Sequence, residues 1–211
     1  GFGCNLSCPF CQNASIAQAG PDDVPWREVS PAELVERASA LRGRGCIGIA
    51  YTYNEPVVAF EFVRDTARLA REAGLANVLV SNGMICAEPL AELAPLIDAA
   101  NIDLKCFSQD AYAALGGDYG TVRRTIAELA ARPGCHLEVT TLVVPGLSDD
   151  AAAIGEAARW LASLDPGITY HLTRFFPRHH MADRRPTPLA TLHEAARAAR
   201  RHLDDVVLGN C

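Results

Sequence analysis

Lysine is nearly absent from this 211-residue chain, which has 18 arginines and a single lysine, Lys105. Acidic residues outnumber basic ones, and the formal net charge is −6. Such a balance offers no dominant basic surface for phosphate groups, so we expect no nucleic-acid partner. An ammonium group is a compact charge on a flexible stem, which a larger, planar guanidinium does not replace inside a pocket. The lone lysine is therefore a candidate functional residue.

Long apolar runs are also missing. No stretch approaches the roughly 18 to 20 apolar residues that cross a bilayer, and no positively charged segment followed by an apolar one precedes the first cysteine. Apolar residues still make up 49% of the chain, which is enough to bury a sizeable core. We therefore expect one cytoplasmic domain over residues 1–211, with no membrane contact.

Cysteine, in contrast, is frequent. The eight cysteines are unevenly spaced, which fits a reducing compartment better than a secreted disulfide scaffold. Cys4, Cys8 and Cys11 form a C-x3-C-x2-C run. Because thiolates hold iron–sulfur clusters, this triplet predicts a cubane with three irons bound to protein and one iron open. A zinc site would need a fourth Cys or His, and a disulfide would leave one cysteine unpaired.

Apolar runs and helical patterns alternate along the chain. The predicted strands cover residues 46–51, 77–80, 101–104, 137–144, 168–175 and 206–208. The predicted helices cover 31–42, 57–73, 87–99, 110–115, 120–131, 149–164 and 188–203. Strands and helices that alternate in this way form right-handed βαβ units, so we expect an α/β fold with a parallel sheet. The sheet closes into a barrel or partial barrel, or stays open.

Polar side chains share the inner face of the predicted strands. The two-residue period of a strand turns Asn101, Asp103 and Lys105 inward, and it does the same for Glu138 and Thr140. Barrel interiors are usually aliphatic, so these polar groups indicate a site near the carboxyl ends of the strands. A structural network of paired charges is the alternative interpretation.

His171 and Thr173 share one face of the fifth predicted strand. His171 is a candidate for the site, although a lone histidine on a strand is often a structural group.

Two short motifs follow predicted strands. Tyr53-Asn54-Glu55 precedes Pro56, which ends a strand and begins a helix, so the Glu55 carboxylate on the rim suits an ammonium group. A helix cap is the alternative. Ser81-Asn82-Gly83 offers a hydroxyl and an amide that suit a ribose or a carboxylate. An ordinary Asn-Gly turn would give the same pattern.

The remaining cysteines and one polar loop carry weaker signals. Cys46 and Cys135 fall at the opposite end of the barrel, where we expect buried packing. Cys86 and Cys106 follow strand ends near the presumed site, and packing is again the expected role. A loop contains Arg178, His179, His180, Arg184 and Arg185. It is either a solvated loop or a docking surface for a partner protein.

Five ordered motifs carry a family resemblance. They occupy residues 4–13, 51–56, 81–83, 101–105 and 143–149. In this order they resemble the radical S-adenosylmethionine (SAM) superfamily, in particular the branch called the AmmeMemoRadiSam system radical SAM enzyme. That branch is similar to pyruvate formate-lyase activating enzymes. The resemblance runs from Gly1 to about Asn210 and implies a radical SAM core domain.

The resemblance assigns a fold and cofactor sites. It implies a partial (β/α)6 TIM-like barrel that lacks its first strand in this chain, so that the domain is incomplete at its N-terminus. Cys4, Cys8 and Cys11 would hold a [4Fe-4S] cluster whose fourth iron chelates the amino and carboxylate groups of SAM. Combined with the inward positions given by strand alternation, the predicted cofactor-binding residues are Tyr53, Asn54, Glu55, Ser81, Asn82, Asp103, Glu138, Thr140 and His171.

The sequence departs from the family pattern at two places. Tyr53-Asn54 stands where two glycines of the Gly-Gly-Glu motif usually hold the amino group of SAM. Val80 stands where activating enzymes often have an aspartate, so a shared monovalent cation site is not expected.

The implied activity is reductive cleavage of SAM to methionine and a 5′-deoxyadenosyl radical, which abstracts hydrogen from an unknown substrate. Lys105 and Asp103 would be the catalytic residues. The partners would be an electron donor such as flavodoxin or ferredoxin and a small-molecule or protein substrate. Alternatives are a glycyl radical enzyme activase and a non-catalytic iron–sulfur or zinc binding module.

Replacing Cys4, Cys8 or Cys11 by Ala is expected to remove most of the bound iron, because three protein ligands leave no spare thiolate. Replacing Cys46 or Cys135 by Ala is the matched control and should leave the iron content nearly unchanged. Iron per chain and cluster absorbance measure both. A Cys8→Ala protein with full iron content would contradict the ligand assignment.

Overall fold

Six parallel strands form one sheet in the computed structural model, which describes residues 1–211. In chain order they are β1 Gly48–Tyr51, β2 Ala76–Ser81, β3 Ala99–Asp103, β4 His136–Val143, β5 Thr169–Arg174 and β6 Val206–Gly209. Each predicted strand is confirmed to within two residues. Every strand is paired with its neighbour in sequence, as consecutive βαβ units require.

Helices connect the strands. They are α1 Ala14–Ala17, α2 Pro31–Ala40, α3 Phe60–Glu72, α4 Ala87–Leu93, α5 Gln109–Ala114, α6 Tyr119–Ala130, α7 Ala151–Leu164 and α8 Leu189–Ala199. Short 3₁₀ segments cover Arg42–Arg44, Pro56–Ala59, Ala94–Leu96 and His179–Met181. The Ser30 side chain accepts a hydrogen bond from the Glu33 amide at 3.2 Å, which confirms the predicted start of α2. None of the helices combines the length and apolar character needed to cross a membrane.

Two helix predictions need correction, and one short helix was missed. The helix predicted over 87–99 ends at Leu93, because Pro95 lacks an amide hydrogen and the chain continues as a 3₁₀ turn. The helix predicted over 188–203 ends at Ala199. The four-residue helix α1, directly after the cysteine motif, was not predicted.

The sheet is a partial barrel. β1 and β6 are its edges and do not pair with each other, so the barrel is not closed. Asp103 on β3 lies opposite Thr140 on β4, and Thr140 lies opposite His171 on β5. The polar residues that alternation predicted on the inner face therefore stand side by side across three strands.

The outer face of the sheet forms the apolar core against the helices. Ile102, Val139 and Leu172 are fully buried there. Their neighbours Asn101, Asp103 and Thr140 are only half-buried, as expected for side chains on the open inner face. The alternation of buried and half-buried positions follows from the two-residue period of each strand.

Asn77 fixes the amino end of β2. Its side-chain oxygen accepts from the Tyr51 hydroxyl at 2.9 Å, and its amide nitrogen donates to the carbonyls of Ala67 and Leu96 at 3.0 Å each. The backbone amide of Asn77 donates to Asp98 at 2.7 Å. A buried amide with all these partners links β1, α3 and the segment before β3.

Asn77→Leu is expected to lower the free energy of unfolding by about 2 to 4 kcal/mol, because it leaves buried polar partners unpaired. Thr66→Val is the contrasting control, since the buried Thr66 hydroxyl has no hydrogen-bond partner. That substitution should not lower stability. Denaturant titrations measure both, and equal stability of Asn77→Leu and the parent would refute the role of Asn77.

Candidate active site

The segment that carries Cys4, Cys8 and Cys11, called here the cysteine loop, is held in place by backbone hydrogen bonds. The Gly3 amide donates to the Ile16 carbonyl at 2.9 Å, and the Ser7 amide donates to the Leu115 carbonyl at 2.8 Å. Within the loop, the Cys11 amide donates to the Cys8 carbonyl at 3.2 Å. These contacts anchor the loop to α1 and to the end of α5.

Two N–H groups are directed at the Cys4 sulfur. The Leu6 amide lies 3.4 Å from Sγ, and the Asn82 side-chain nitrogen lies 3.6 Å from it. The same Asn82 nitrogen donates to the Asn5 side chain at 2.8 Å. Donors placed around a sulfur favour its negatively charged form. Burial nevertheless raises the pKa of the Cys4 thiol, and the two donors only oppose that shift.

The end of β1 also holds the cysteine loop. The Glu55 amide and the Asn54 side chain donate to the Gly3 carbonyl at 3.2 and 3.1 Å. The Asn13 side chain donates to the Tyr53 carbonyl at 2.7 Å. Asn54 and Tyr53 therefore contact the loop through amide and carbonyl groups.

Tyr53 has an unusual backbone. Its φ angle is +80°, in the region that favours glycine. Its side chain is 75% exposed at the rim. The residue thus adopts a glycine-like conformation at a position where the resembled family motif has glycine.

Glu55 is more deeply placed than the rim position that the sequence predicted. The residue is 2% exposed. One carboxylate oxygen accepts from the Ser81 hydroxyl at 2.7 Å and the Val57 amide at 3.2 Å, and the other accepts from the Asn82 amide at 2.8 Å. Burial raises the pKa of Glu55, although these hydrogen bonds oppose the shift. The bond from the Val57 amide is the helix-cap contact that the sequence offered as the alternative role of Glu55. Binding of an ammonium group by Glu55 stays a prediction.

Gly83 completes the turn after β2. Its φ angle is +74°, and an added Cβ would lie 2.9 Å from the Ile102 side chain. Both the angle and the close approach require glycine. The Ser81-Asn82-Gly83 motif thus directs Ser81 to Glu55 and Asn82 to the cysteine loop.

These elements surround one cavity of about 330 Å³, a size typical of small-molecule sites. Cys4, Cys8 and Cys11 all line it. Of the other predicted residues, those that line it are Tyr53, Asn54, Glu55, Ser81, Asn82, Asp103, Lys105 and Thr140. The structure therefore brings together all but two of the predicted site residues.

Lys105 and Asp103 form an ion pair within this cavity, with Nζ and Oδ2 2.8 Å apart. Burial favours the neutral amine, but the nearby Asp103 carboxylate outweighs it and raises the pKa of Lys105 above its usual value. The lysine thus presents a fixed positive charge beside Cys8.

Glu138 and His171 are the two exceptions. They lie nearer the amino ends of β4 and β5 than Thr140 and Thr173 do, and they do not line the cavity. The Glu138 carboxylate is 2.9 Å from Nε2 of His171, 3.3 Å from that of His136 and 3.2 Å from the Asn101 amide. Burial would raise the pKa of Glu138, but these partners hold it below its usual value. Thr140 connects the network to the cavity through Asn101 at 2.7 Å.

Several cavity residues were not predicted as site residues. They are Leu6, Phe10, Gln12, Asn13, Ala17, Gln18, Thr52, Val80, Leu142, Thr173 and Asn210. Strand parity indicates Leu142 and Thr173, which follow Thr140 and His171 by two residues. Nothing in the sequence pattern indicates Asn210, since it lies beyond the last strand.

Buried packing was predicted for four of the other cysteines and is confirmed for Cys106 alone. Cys46 and Cys135 are half-buried rather than fully buried, because each precedes its strand at the edge of the core. Cys106 is fully buried, and Cys86 is exposed at the start of α4. None of the four lines the cavity.

The cysteine triplet fits an iron–sulfur cluster by its donors. Three thiols line one cavity, and burial raises the pKa of the Cys8 thiol to about 11 even though Lys105 lowers it. A buried thiol of this kind becomes a thiolate when a metal centre supplies positive charge. No three Cys, His, Asp or Glu side chains converge as the ligands of a single metal ion would.

The family model described as the radical SAM superfamily matches residues 1–161. The chain belongs to this superfamily. That result confirms the superfamily assignment made from the five motifs, whereas the AmmeMemoRadiSam branch stays a prediction.

Two proteins with similar sequences show which members of the superfamily this chain resembles. The chain is 38% identical to the uncharacterized protein MJ0808 of Methanocaldococcus jannaschii over 210 residues, which are 99% of this chain and 61% of that protein. It is 26% identical to the pyruvate formate-lyase 1-activating enzyme of Escherichia coli, over 77% of this chain and 68% of that enzyme. The predicted similarity to activating enzymes is thus confirmed.

A solved structure supports the fold. The structure of Streptococcus suis SuiB bound to S-adenosylmethionine superimposes with a TM-score of 0.76 at 12% identity. The match covers all of this chain and 49% of that protein. The partial TIM-like barrel of the radical SAM type is therefore confirmed as the fold.

Glu55→Ala is expected to weaken SAM binding roughly tenfold and to leave the iron bound, because it removes a charged acceptor from the cavity wall but no thiolate. It should also lower the free energy of unfolding by about 2 to 4 kcal/mol, since three buried donors lose their acceptor. Glu61→Ala, at an exposed position of α3, is the matched control. If the Glu55→Ala protein binds iron and has unchanged SAM affinity, Glu55 has a structural role only and does not bind SAM.

Proposed function

We propose that this chain is a radical SAM enzyme that holds a [4Fe-4S] cluster on Cys4, Cys8 and Cys11 and binds SAM in the adjoining cavity. The observation that carries this proposal is that the three cysteines and the Lys105–Asp103 pair line the same cavity. When bound and reduced, the cluster and SAM supply a 5′-deoxyadenosyl radical that abstracts hydrogen from a substrate.

The residues of the protein bind and orient the cofactors and the substrate. Lys105 presents a positive charge to an anionic group of the cofactor or substrate, and Asp103 holds the lysine side chain in place. Asn82 donates to the Cys4 sulfur. On the apolar part of the wall, the nearly buried Leu6 and Phe10 limit access of water to the cysteines.

The substrate is proposed to be a small molecule or a protein of the AmmeMemoRadiSam pathway, because the Tyr-Asn-Glu-Pro segment follows that branch. A glycyl radical enzyme activase is the second candidate. It is favoured by the 26% identity to the pyruvate formate-lyase 1-activating enzyme. In either case a small electron-transfer protein such as flavodoxin or ferredoxin is the proposed electron donor, and the cytoplasm is the proposed location.

A binding module without turnover would have no use for the cavity beside the cysteines. The polar cavity wall therefore supports the enzyme over the module. Anaerobic reconstitution decides between them, because only the enzyme forms 5′-deoxyadenosine when it is reduced in the presence of SAM.

Lys105→Arg is expected to fold and bind iron like the parent, yet to lose most 5′-deoxyadenosine formation. The guanidinium keeps the charge but is larger and planar, so it cannot occupy the ammonium position beside Asp103. The measurement is 5′-deoxyadenosine per chain after reduction with SAM, with iron content determined on the same sample.

Arg124→Lys is the matched control, because it makes the opposite exchange at an exposed position of α6 and should leave the yield unchanged. A Lys105→Arg protein with the parent yield would show that Lys105 has no part in the reaction. A parent protein that binds iron and SAM but forms no 5′-deoxyadenosine would refute the proposed function.

A further inference from the structure

The loop between β5 and α8 concentrates positive charge in an acidic protein. Residues 174–185, called here the arginine loop, contain four arginines, two histidines and one acidic residue, Asp183. The whole chain has a formal net charge of −6. With four arginines against one aspartate, the loop has the opposite sign of charge to the chain as a whole.

Most of these charges have no partner within the protein. None of the ion pairs of the structure involves an arginine of this loop. Arg178, Arg184 and Arg185 are exposed. Only the Arg174 guanidinium is held, by a hydrogen bond from Nε to the Thr187 carbonyl at 2.7 Å and by stacking 5.0 Å from the centre of the Phe176 ring. Three guanidinium groups are thus free to bind an external anion.

The arginine loop is anchored at the rim of the cavity. The buried Thr187 hydroxyl donates to the Val143 carbonyl at the end of β4 at 2.5 Å and accepts from the Phe175 amide at 3.3 Å. Asn210, which lines the cavity, donates to the Arg174 carbonyl at 3.4 Å. The loop therefore begins beside the cavity, on the β4–β6 side, whereas the cysteine loop lies on the β1–β2 side.

The composition of the loop favours a polypeptide over other anions. A small anion inside the cavity would meet Lys105, and the free arginines of the loop do not line that cavity. A nucleic acid would be repelled by the acidic remainder of the chain. Arginines beside a partly exposed aromatic ring, here Phe176, are typical of protein interfaces, and guanidinium groups bind carboxylates through paired hydrogen bonds.

We propose that the arginine loop docks an acidic polypeptide segment of a protein substrate, whose reacting residue then enters the cavity. The substrate role rests on the proposed function, but the docking does not. The exposed arginines of this loop, which begins beside the cavity, would steer and orient the acidic segment before the reacting residue enters.

The test uses the reconstituted full chain and a fluorescent oligoglutamate peptide, with binding followed by anisotropy. The variant combines Arg178→Glu, Arg184→Glu and Arg185→Glu. Its matched control combines Arg44→Glu, Arg68→Glu and Arg197→Glu, three exposed arginines outside the loop. We expect the loop variant to weaken peptide binding by at least roughly tenfold and the control by less than about twofold. Raised salt should weaken parent binding.

The outcomes separate docking from the proposed function. Absence of peptide binding by the parent, or equal losses in both variants, would overturn the docking surface. Tighter loop-dependent binding of inorganic phosphate or oligothymidylate than of the peptide would overturn the polypeptide assignment. Peptide binding without 5′-deoxyadenosine formation would retain the docking surface and refute the proposed function. If the charge reversals prevent folding, the milder Arg184→Gln/Arg185→Gln variant must weaken binding while keeping the parent melting temperature.

Discussion

The buried Glu55 carboxylate is the contact on which the rest of the site depends. It joins the end of β1 to the end of β2 through Ser81 and the Asn82 amide. Asn82 in turn contacts Asn5 and the Cys4 sulfur. A carboxylate buried to this degree is costly unless donors surround it, and here each donor belongs to an element that the site needs. The charge therefore holds two strand ends and the cysteine loop in one arrangement.

The open sheet determines which side chains the interior of the barrel can hold. Because β1 and β6 do not pair, the barrel interior is accessible and can carry polar groups that a closed, aliphatic barrel core would exclude. Lys105 and Asp103 pair at the cavity, while Glu138 and His171 pair nearer the amino ends of β4 and β5. The first pair can contact charged groups in the cavity, and the second pair, through Asn101, holds Thr140 in place.

Two surfaces with different chemistry border the cavity. The cysteine loop supplies thiols and a largely apolar wall on one side. The arginine loop supplies exposed guanidinium groups on the other side, outside the cavity itself. Reaction chemistry and substrate recognition can therefore be separate properties of the two loops, as is common when loops are carried on a rigid scaffold.

The sequence by itself determined the strands, the parallel sheet, the cysteine triplet and the inward direction of Asp103 and Lys105, because period-two alternation and motif spacing are local properties. The sequence did not determine how deeply each side chain is buried or which of them line the cavity. Only the tertiary structure places Glu55 among three donors and shows that Glu138 and His171 do not line the cavity, because both results depend on how neighbouring segments meet. The position of Asn210 at the cavity and the lack of ion pairs for the loop arginines are also known only from the structure, because distant segments meet only after the sheet has formed.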